Sequence, residues 1–335
     1  MMDRTDRSRL VDGELPFPRM ARDDLLVRVL AVSVNPADAR IMQRAEIEQG
    51  IDVLGFDACG EVLSVGETVH GFRAGDVVYY AGDLSRQGSF AEYQAVRADL
   101  VGKAPKSLLP TQAAAMPLTM LTAWEILHEK FRMSGGKLLV IGGAGGVGSQ
   151  LIQLARLQPE VEVVASASRP ASKTWCVSLG AHSIVDHAQP LAGQLSDPVS
   201  HVALLNQPDH YWSMLPDMLE PYGEVACIVP FASPVDINAL MRKSLSLHWE
   251  FMFSKALFPT SRRRARVAQG GHEPAGRSLM APGGILNHVA SLVDEGRLRS
   301  TETLCLGRVS ASGVLQAMRQ LASGHTIGKI TFSGF

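Results

Sequence analysis

The sequence predicts a two-domain α/β protein in which a doubly wound parallel sheet is joined to a smaller β-rich module. Its 335 residues exceed what one hydrophobic core usually serves. Short strand-like segments fill the first third of the chain, and after about residue 110 unbroken apolar runs alternate with helical patterns. Apolar strands of that kind are typical of a parallel sheet covered by helices on both faces.

The N-terminal third predicts the β-rich module. The segment 24–34, DLLVRVLAVSV, is rich in Val and Leu and partly alternates, as a half-buried strand should. Shorter strand-like segments at 60–65, 76–80 and 90–96 are separated by glycines and charged residues. We therefore assign residues 1–110 to this module.

The middle of the chain, residues 111–255, predicts the doubly wound domain. It opens with a helical pattern over 111–131 that has a possible break near Pro117. Strands and helices then alternate: strands at 137–141, 161–168, 182–187, 201–205 and 223–229, helices at 147–157, 171–179 and 209–219, and a possible sixth strand within 244–253. This order of elements predicts parallel strands joined by helical crossovers.

The last part of the chain is less regular. Residues 256–284 contain a short run of arginines with glycines and prolines and no periodicity, which predicts an irregular loop or insertion rather than a functional basic patch. Helical patterns resume at 285–295 and 310–323, and a short strand at 329–332 closes the sequence.

Composition limits the possible partners to small molecules. The net charge of −1 gives no field to attract nucleic acid or an anionic membrane surface. We find no run of 18 apolar residues and no secretory signal at the N-terminus. The four cysteines are widely separated, so we expect a reducing compartment, the cytoplasm, and no disulfide framework.

The segment KLLVIGGAGGVGSQLIQLAR, residues 137–156, predicts a dinucleotide site. Gly143, Gly145 and Gly148 fit the pattern G-x-G-x-x-G between a strand and a helix. We expect the first glycine to permit the tight turn, the second to let the backbone approach a diphosphate, and the third to let helix and strand pack closely. The free amides of the helix N-terminus would bind the phosphates, and the loop adds Ala144, Gly146 and Val147 to this site.

The residues after the next strand favour NADPH as the cofactor. An NAD site usually carries an acid there, which bonds the ribose 2′-hydroxyl. This strand instead ends at Ser168 and Arg169, with Lys173 one helical turn further on. Two cations without an acid suit a 2′-phosphate. The alternative is that both cations are ordinary solvated residues at a helix start.

Several motifs together resemble one protein family. VSVNPADAR, VLGFDACGEVLSVGE, GDVVYYAGDLSRQGSFAEY, AAAMPLTMLTAWE, IGGAGGVGSQLIQLAR, ASASRP and KSLSLHWEFMF occur in the order found in the medium-chain dehydrogenase/reductase superfamily. The likeness is strongest to its quinone-oxidoreductase branch and the subgroup called "zinc-type alcohol dehydrogenase-like". It covers about residues 10–260 and resumes near 285.

The resemblance implies an architecture and an assembly. It implies a GroES-like catalytic domain, a Rossmann dinucleotide domain, a return to the catalytic domain over 285–335, and a homodimer. His187 matches a position on the adenine side of the cofactor. The family opens with a further strand before the segment that matches Leu10–Leu15, and we expect that strand to be missing from residues 1–110.

The same comparison of motifs argues against metal. Zinc-dependent relatives place Cys where this chain has Asn35-Pro36-Ala37-Asp38, and a His-Glu pair where it has Phe56-Asp57. A lone Asp57 falls short of the three protein ligands that a catalytic zinc needs. We therefore expect no metal, despite the name of the subgroup.

Without a Lewis acid, hydride transfer must rely on positioning and on hydrogen bonds to the oxygen that becomes negative. By resemblance, the cleft is lined by Asn35, Asp38, Tyr80 and Thr122, with Tyr79 as an equal rival to Tyr80 as proton donor. Each has a structural alternative, because Asn35-Pro36 can form a turn and Thr122 can bond its own helix backbone.

The predicted activity is NADPH-dependent reduction of a quinone or an α,β-unsaturated carbonyl, with Phe231 and Trp249 either shaping an apolar pocket or packing in the core. One alternative is a protein that binds NADPH as a redox sensor with little turnover, and another is a zinc-dependent alcohol dehydrogenase. A short-chain dehydrogenase is disfavoured, because the sequence has no Tyr-x-x-x-Lys pair.

Overall fold

The computed structural model describes residues 1–2, 9–43, 52–191, 193–258 and 280–335. The described chain divides into two compact units. The first unit comprises Met1–Leu118, Met252–His325 and Lys329–Phe335, and the second comprises Thr119–Phe251 and Thr326–Gly328. The chain therefore returns to the first unit after the second, and three residues of the second unit interrupt that return.

The strands and helices follow each other in the order that the apolar runs predict. The strands are β1 Asp24–Val34, β2 Asp57–Val65, β3 Val77–Tyr80, β4 Tyr93–Arg97, β5 Val101–Lys103, β6 Gly136–Ile141, β7 Val161–Ser166, β8 Ser183–Val185, β9 Val199–Leu204, β10 Leu219–Cys227, β11 Ser246–Trp249, β12 Glu302–Cys305 and β13 Lys329–Phe332. The α-helices are α1 Pro36–Met42, α2 Pro110–Ala114, α3 Pro117–Trp124, α4 Gly146–Arg156, α5 Pro170–Ser178, α6 Pro208–Tyr211, α7 Leu215–Met218, α8 Ser254–Leu257, α9 Pro282–Asp294 and α10 Ala311–Ala322.

The first unit is built on a mostly antiparallel sheet with β1 at its centre. The strand order is β12-β13-β1-β2-β3-β5, and β4 also pairs with β1. β1 pairs antiparallel with β2, β4 and β13, so this one long strand connects the whole sheet. Leu25, Val27 and Val32 of β1 are fully buried in the unit's apolar core, which explains the apolar character of the segment.

The second unit contains a six-stranded parallel sheet. Its order is β11-β10-β9-β6-β7-β8, and all of its pairings are parallel. The strand order reverses direction between β6 and β9, which is the switch point where doubly wound folds bind ligands at the carboxyl ends of their strands. The predicted fold class, including the sixth strand, is confirmed.

Some elements differ from the predicted ones. The helix expected over 209–219 is two short helices, α6 and α7, separated by a 3₁₀ turn. Pro216 lies in the first turn of α7, where a proline is tolerated, whereas one long helix would place it in the interior. The helix expected over 111–131 is α2 and α3 followed by a π-helix, Glu125–Lys130. The short strands β5 and β12 carry too little pattern to be predicted.

The irregular segment predicted over 256–284 lies partly outside the described residues, which omit 259–279. Within the described part, α8 occupies Ser254–Leu257 and α9 starts at Pro282 rather than at residue 285. Proline is favoured at the first helical position, because its missing N–H has no acceptor there anyway. Among the described residues, no helix is both long and apolar enough to cross a bilayer.

Candidate functional site

The glycine-rich loop joins β6 to α4, as predicted, but the tight turn is made by a different glycine from the one that we expected. The left-handed residue of the turn is Gly142, at φ +86°, and not Gly143. Gly143 is required for another reason: a Cβ there would lie 2.8 Å from Ala165 Cβ and 3.2 Å from Cys176 Sγ. The role that we predicted for Gly143 therefore belongs to the glycine before it, and Gly143 instead permits close packing against β7 and α5.

The other two glycines, Gly145 and Gly148, differ in the space around them. A Cβ on Gly148 would lie 2.4 Å from the Gly142 carbonyl oxygen, so only glycine allows α4 to pack this closely against the loop after β6. A Cβ on Gly145 would have its nearest neighbour at 3.4 Å, so the backbone there is open to a ligand. The first intrahelical bond of α4 runs from Ser149 N to Gly145 O, at 2.9 Å. Helix geometry therefore provides no acceptor within the helix for the amides of residues 146–148.

Two carbonyl groups of the loop, those of Gly142 and Ala144, accept hydrogen bonds from protein donors. Gly142 O accepts from Gly145 N at 3.1 Å, and Ala144 O accepts from Gly328 N at 2.8 Å and from Ser149 Oγ at 3.4 Å. Ser149 Oγ in turn accepts from Trp175 Nε1 at 2.8 Å. These carbonyl oxygens are hydrogen-bonded, and the amides of residues 146–148 are available, so the loop is suited to bind an anion.

The carboxyl end of β7 lies beside the loop. Ser166 Oγ accepts from Gly142 N at 2.9 Å, and this contact connects the end of β7 to the start of the turn. Ser168 and Arg169 follow, half-buried, and Arg169 is the N-cap of α5. The residues directly after β7 include no acid, so a 2′-phosphate bound there would lie near the cations Arg169 and Lys173.

A carboxylate that we did not predict as part of the site contacts one of these cations. Lys173 Nζ donates to Asp186 Oδ2 at 2.7 Å, and His187 follows Asp186 in the chain. Burial lowers the pKa of His187, and the positive charges of Arg169 and Lys173 lower it further, against the opposing effect of Asp186. The predicted residues Arg169, Lys173 and His187 therefore lie close together, with Asp186 among them.

In the first unit, Asn35 and Asp38 belong to a buried polar cluster, which we define as Ser33, Asn35, Asp38, Asp57 and Lys329. Asp57 Oδ2 accepts from Ser33 Oγ at 2.7 Å, from Asn35 Nδ2 at 2.8 Å and from Lys329 Nζ at 3.2 Å. Lys329 Nζ also donates to Asn35 Oδ1 at 2.6 Å and to Val34 O at 2.9 Å. The three N–H bonds of the ammonium thus have three acceptors.

The sequence analysis missed Lys329, which is 3% exposed and appears in the sequence only as the first residue of a short strand. Burial lowers its pKa, and the charge of Asp57 acts in the opposite direction. Lys329 could have been identified from one signal, a charged residue at a strand position that must be buried. Such a residue requires a buried counter-charge.

Asp38 is fully buried at the start of α1, where its Oδ2 accepts from Asn35 N at 2.7 Å. Burial raises the pKa of Asp38 to about 7, although the Asn35 amide and the charge of Lys329 oppose the shift. The pKa of Asp38 therefore lies near neutral pH, and its carboxyl group contacts Asn35, which we predicted to line the cleft.

Both candidate tyrosines are completely buried within the first unit. Tyr79 OH donates to Leu286 O at 2.6 Å, and Tyr80 OH donates to Gln94 Oε1 at 2.9 Å. Burial raises the pKa of each hydroxyl well above its usual range. These surroundings favour a packing role for both side chains.

The remaining candidates lie in the second unit. Thr122 is buried within α3, whereas Asn35, Asp38 and Tyr80 belong to the first unit. Phe231, which follows β10, packs edge-on against Trp249, the last residue of β11, with ring centroids 5.8 Å apart. Trp249 is 50% exposed, so it is not a core residue of this unit.

The donor set of the first unit does not fit zinc. Asp57 is the candidate ligand, and its Oδ1 accepts from Leu118 N at 2.7 Å while its Oδ2 accepts from three donors of the buried polar cluster. Phe56 cannot ligate. Across the described ranges, no three His, Cys, Asp or Glu side chains are grouped so that they could hold a metal ion.

An antiparallel unit and a doubly wound unit with a glycine-rich phosphate loop define the class of two-domain dehydrogenases and reductases. Residues 21–106 match the alcohol dehydrogenase GroES-like domain. A "Zinc-type alcohol dehydrogenase-like protein" of Staphylococcus aureus strain COL is 34% identical over 325 residues, which cover 94% of this chain and 92% of that protein.

Two further comparisons support the same class. A crystal structure from Rhizobium etli CFN 42, whose assigned name is that of a zinc-dependent alcohol dehydrogenase, has a TM-score of 0.85 at 37% identity and covers 97% of this chain and 93% of that one. The "NADPH-dependent alkenal/one oxidoreductase, chloroplastic" of Arabidopsis thaliana is 33% identical over 198 residues, 56% of this chain and 51% of that protein. The chain belongs to the medium-chain dehydrogenase/reductase superfamily, with the zinc-type alcohol dehydrogenase-like proteins, and is an oxidoreductase.

Proposed function

We propose that this protein is an NADPH-dependent reductase that transfers hydride, without metal, to a quinone or an α,β-unsaturated carbonyl compound. The observation that carries the proposal is the glycine loop, in which the carbonyls of Gly142 and Ala144 are engaged by protein donors while the first-turn amides of α4 remain for an anion. The Arabidopsis relative, whose name specifies NADPH and alkenals or alkenones, supports the cofactor and the substrate class.

The residues present fit the proposed cofactor. The backbone of residues 143–148 would hold the diphosphate, and Ser168, Arg169 and Lys173 would surround the 2′-phosphate, with His187 toward the adenine. When bound, NADPH supplies the hydride from C4 of its nicotinamide. In this metal-free proposal the protein would contribute orientation and exclusion of water, in place of a Lewis acid that polarises the substrate.

We propose the same four candidates as before for the residues that contact the substrate, which accepts the hydride: Asn35, Asp38, Tyr80 and Thr122. The hydrogen bonds around Asn35 fix its amide between Asp57 and Lys329, so it is suited to orient a bound group. The hydroxyl of Tyr80 is buried and bound to Gln94, which favours solvent over tyrosine as the source of the proton. We also retain a cytoplasmic location and a homodimer as proposals, the latter to be tested by sedimentation.

Stopped-flow absorbance of NADPH tests the proposal, with purified protein and a panel of quinones and enones. We expect oxidation of NADPH with at least one acceptor, and no loss of rate after dialysis against a chelator. Tight binding of NADPH in calorimetry without oxidation by any acceptor would instead identify a nucleotide-binding protein. Stoichiometric zinc in elemental analysis, with loss of activity on chelation, would contradict the metal-free reaction.

A further inference from the structure

An acid, Asp186, lies next to the proposed 2′-phosphate position, but it follows β8 rather than β7. β8 pairs with β7 in parallel, with Ser166 opposite Val185, and Ala167 N donates to Val185 O at 3.0 Å. Asp186 is the residue directly after β8, so it emerges from the sheet at the same edge as Ser168 and Arg169. The acid that is absent after β7 therefore has a counterpart after β8.

The carboxylate of Asp186 is fixed in place. Its Oδ2 accepts from Lys173 Nζ at 2.7 Å, and its Oδ1 accepts from Ala188 N at 2.9 Å. The hydrogen bond from Lys173 is the main cause that lowers the pKa of Asp186. Both side chains are partly exposed, at 40% for Lys173 and 27% for Asp186, so a ligand can reach the pair.

The position of the carboxylate has a consequence for the choice of cofactor. An ammonium donates to a phosphate oxygen at about 2.8 Å. If Lys173 does so while keeping its 2.7 Å bond to Asp186, the carboxylate and phosphate oxygens lie within about 5.5 Å of each other. Two anions at that distance repel each other, and the ribose 2′-hydroxyl of NADH carries no such charge.

We propose that Asp186 is a specificity-determining residue that weakens the binding of the 2′-phosphate and so limits the preference of this protein for NADPH over NADH. The inference rests on the proposed function, because it requires the dinucleotide to bind at the glycine loop. It makes Lys173 a cation shared between the protein's own carboxylate and the cofactor, rather than one reserved for the cofactor.

The test compares Asp186→Asn with the wild-type protein by calorimetric titration with NADPH and with NADH. Asparagine keeps an acceptor for Ala188 N and removes the charge. We expect the Kd for NADPH to fall by about 3- to 10-fold and the Kd for NADH to change by less than about 2-fold. Asp186→Glu keeps the charge and should keep the wild-type ratio of the two constants. Asp197→Asn, an exposed change before the amino end of β9, should leave both constants unchanged.

The possible results separate this inference from the proposed function. Binding of both nucleotides with the same Kd ratio in the wild type and in Asp186→Asn would overturn the inference alone. Weaker binding of NADPH to Asp186→Asn would also overturn it, because Asp186 would then serve to orient Lys173 for the phosphate. A folded wild-type protein that binds neither nucleotide would overturn both the inference and the proposed function.

Discussion

Replacing Asp38 with asparagine should stabilise the protein by an amount that grows with pH. The Asp38 side chain is completely buried, and burial raises its pKa to about 7 from an ordinary value of 3.8. The difference is about 3 pH units, and at about 1.4 kcal/mol per unit it amounts to about 4 kcal/mol. This is an upper limit on the amount by which ionisation of Asp38 lowers the free energy of unfolding.

The sign follows from proton linkage. Below about pH 4, Asp38 is protonated in both the folded and the unfolded chain, so it makes no pH-dependent contribution. Between about pH 4 and pH 7, the unfolded chain releases this proton while the folded chain keeps it, so stability falls as the pH rises. Above about pH 7 the folded carboxyl is ionised as well, and the loss is complete.

Urea unfolding of the wild type and of Asp38→Asn at a series of pH values measures this contribution, because the effects of groups that do not interact with Asp38 cancel in the difference. We expect the advantage of the variant to increase by about 1.4 kcal/mol per pH unit between pH 4.5 and 6.5 and to level off above pH 8. Asp217→Asn, at an exposed site, controls for the loss of one carboxyl group. A constant difference from pH 4 to pH 8 would refute the reasoning, and so would an advantage that shrinks as the pH rises.

Three further changes test the loop and the buried polar cluster. Gly148→Ala places a Cβ 2.4 Å from Gly142 O and should weaken NADPH binding at least about 10-fold in calorimetry, whereas Gly284→Ala, in α9, should leave it unchanged. Ser149→Ala removes a donor to the Ala144 carbonyl and the acceptor of Trp175 Nε1, and it should raise the Kd for NADPH about 5-fold; an unchanged Kd would exclude a role in positioning the loop. Lys329→Met leaves Asp57 buried without its counter-charge and should lower the free energy of unfolding by about 3–5 kcal/mol in urea, and adding Asp57→Asn should recover part of that loss.

The sequence was sufficient where the determinants are local. A strand, a glycine-rich turn and a helix lie within residues 136–156, and their pattern specifies the loop because each backbone requirement is met by a residue in the same segment. The parallel sheet was predictable for a similar reason, since strands buried on both faces are apolar throughout. Even so, the left-handed position fell at Gly142, because GG offers two candidates and only the backbone distinguishes them.

The sequence was insufficient where partners are distant in the chain. Lys329 and Asp57 form an ion pair across more than 270 positions, and neither residue indicates the other in a single sequence. Asp186 contacts the predicted Lys173, and Trp175 contacts Ser149 directly after the predicted loop, but neither residue differs in sequence from an ordinary helix residue or strand end. Asn35 and Asp38 were identified by resemblance, but the hydrogen bonds that restrict them could be seen only in the folded chain.

The segment that ends with Lys329 passes from the second unit to the first at one peptide bond. Gly328 belongs to the second unit, where its amide holds the Ala144 carbonyl of the phosphate loop. Lys329 belongs to the first unit, where its ammonium has all three of its acceptors in or beside the buried polar cluster. One peptide bond therefore joins a residue that orders the nucleotide loop to a residue that neutralises a buried carboxylate.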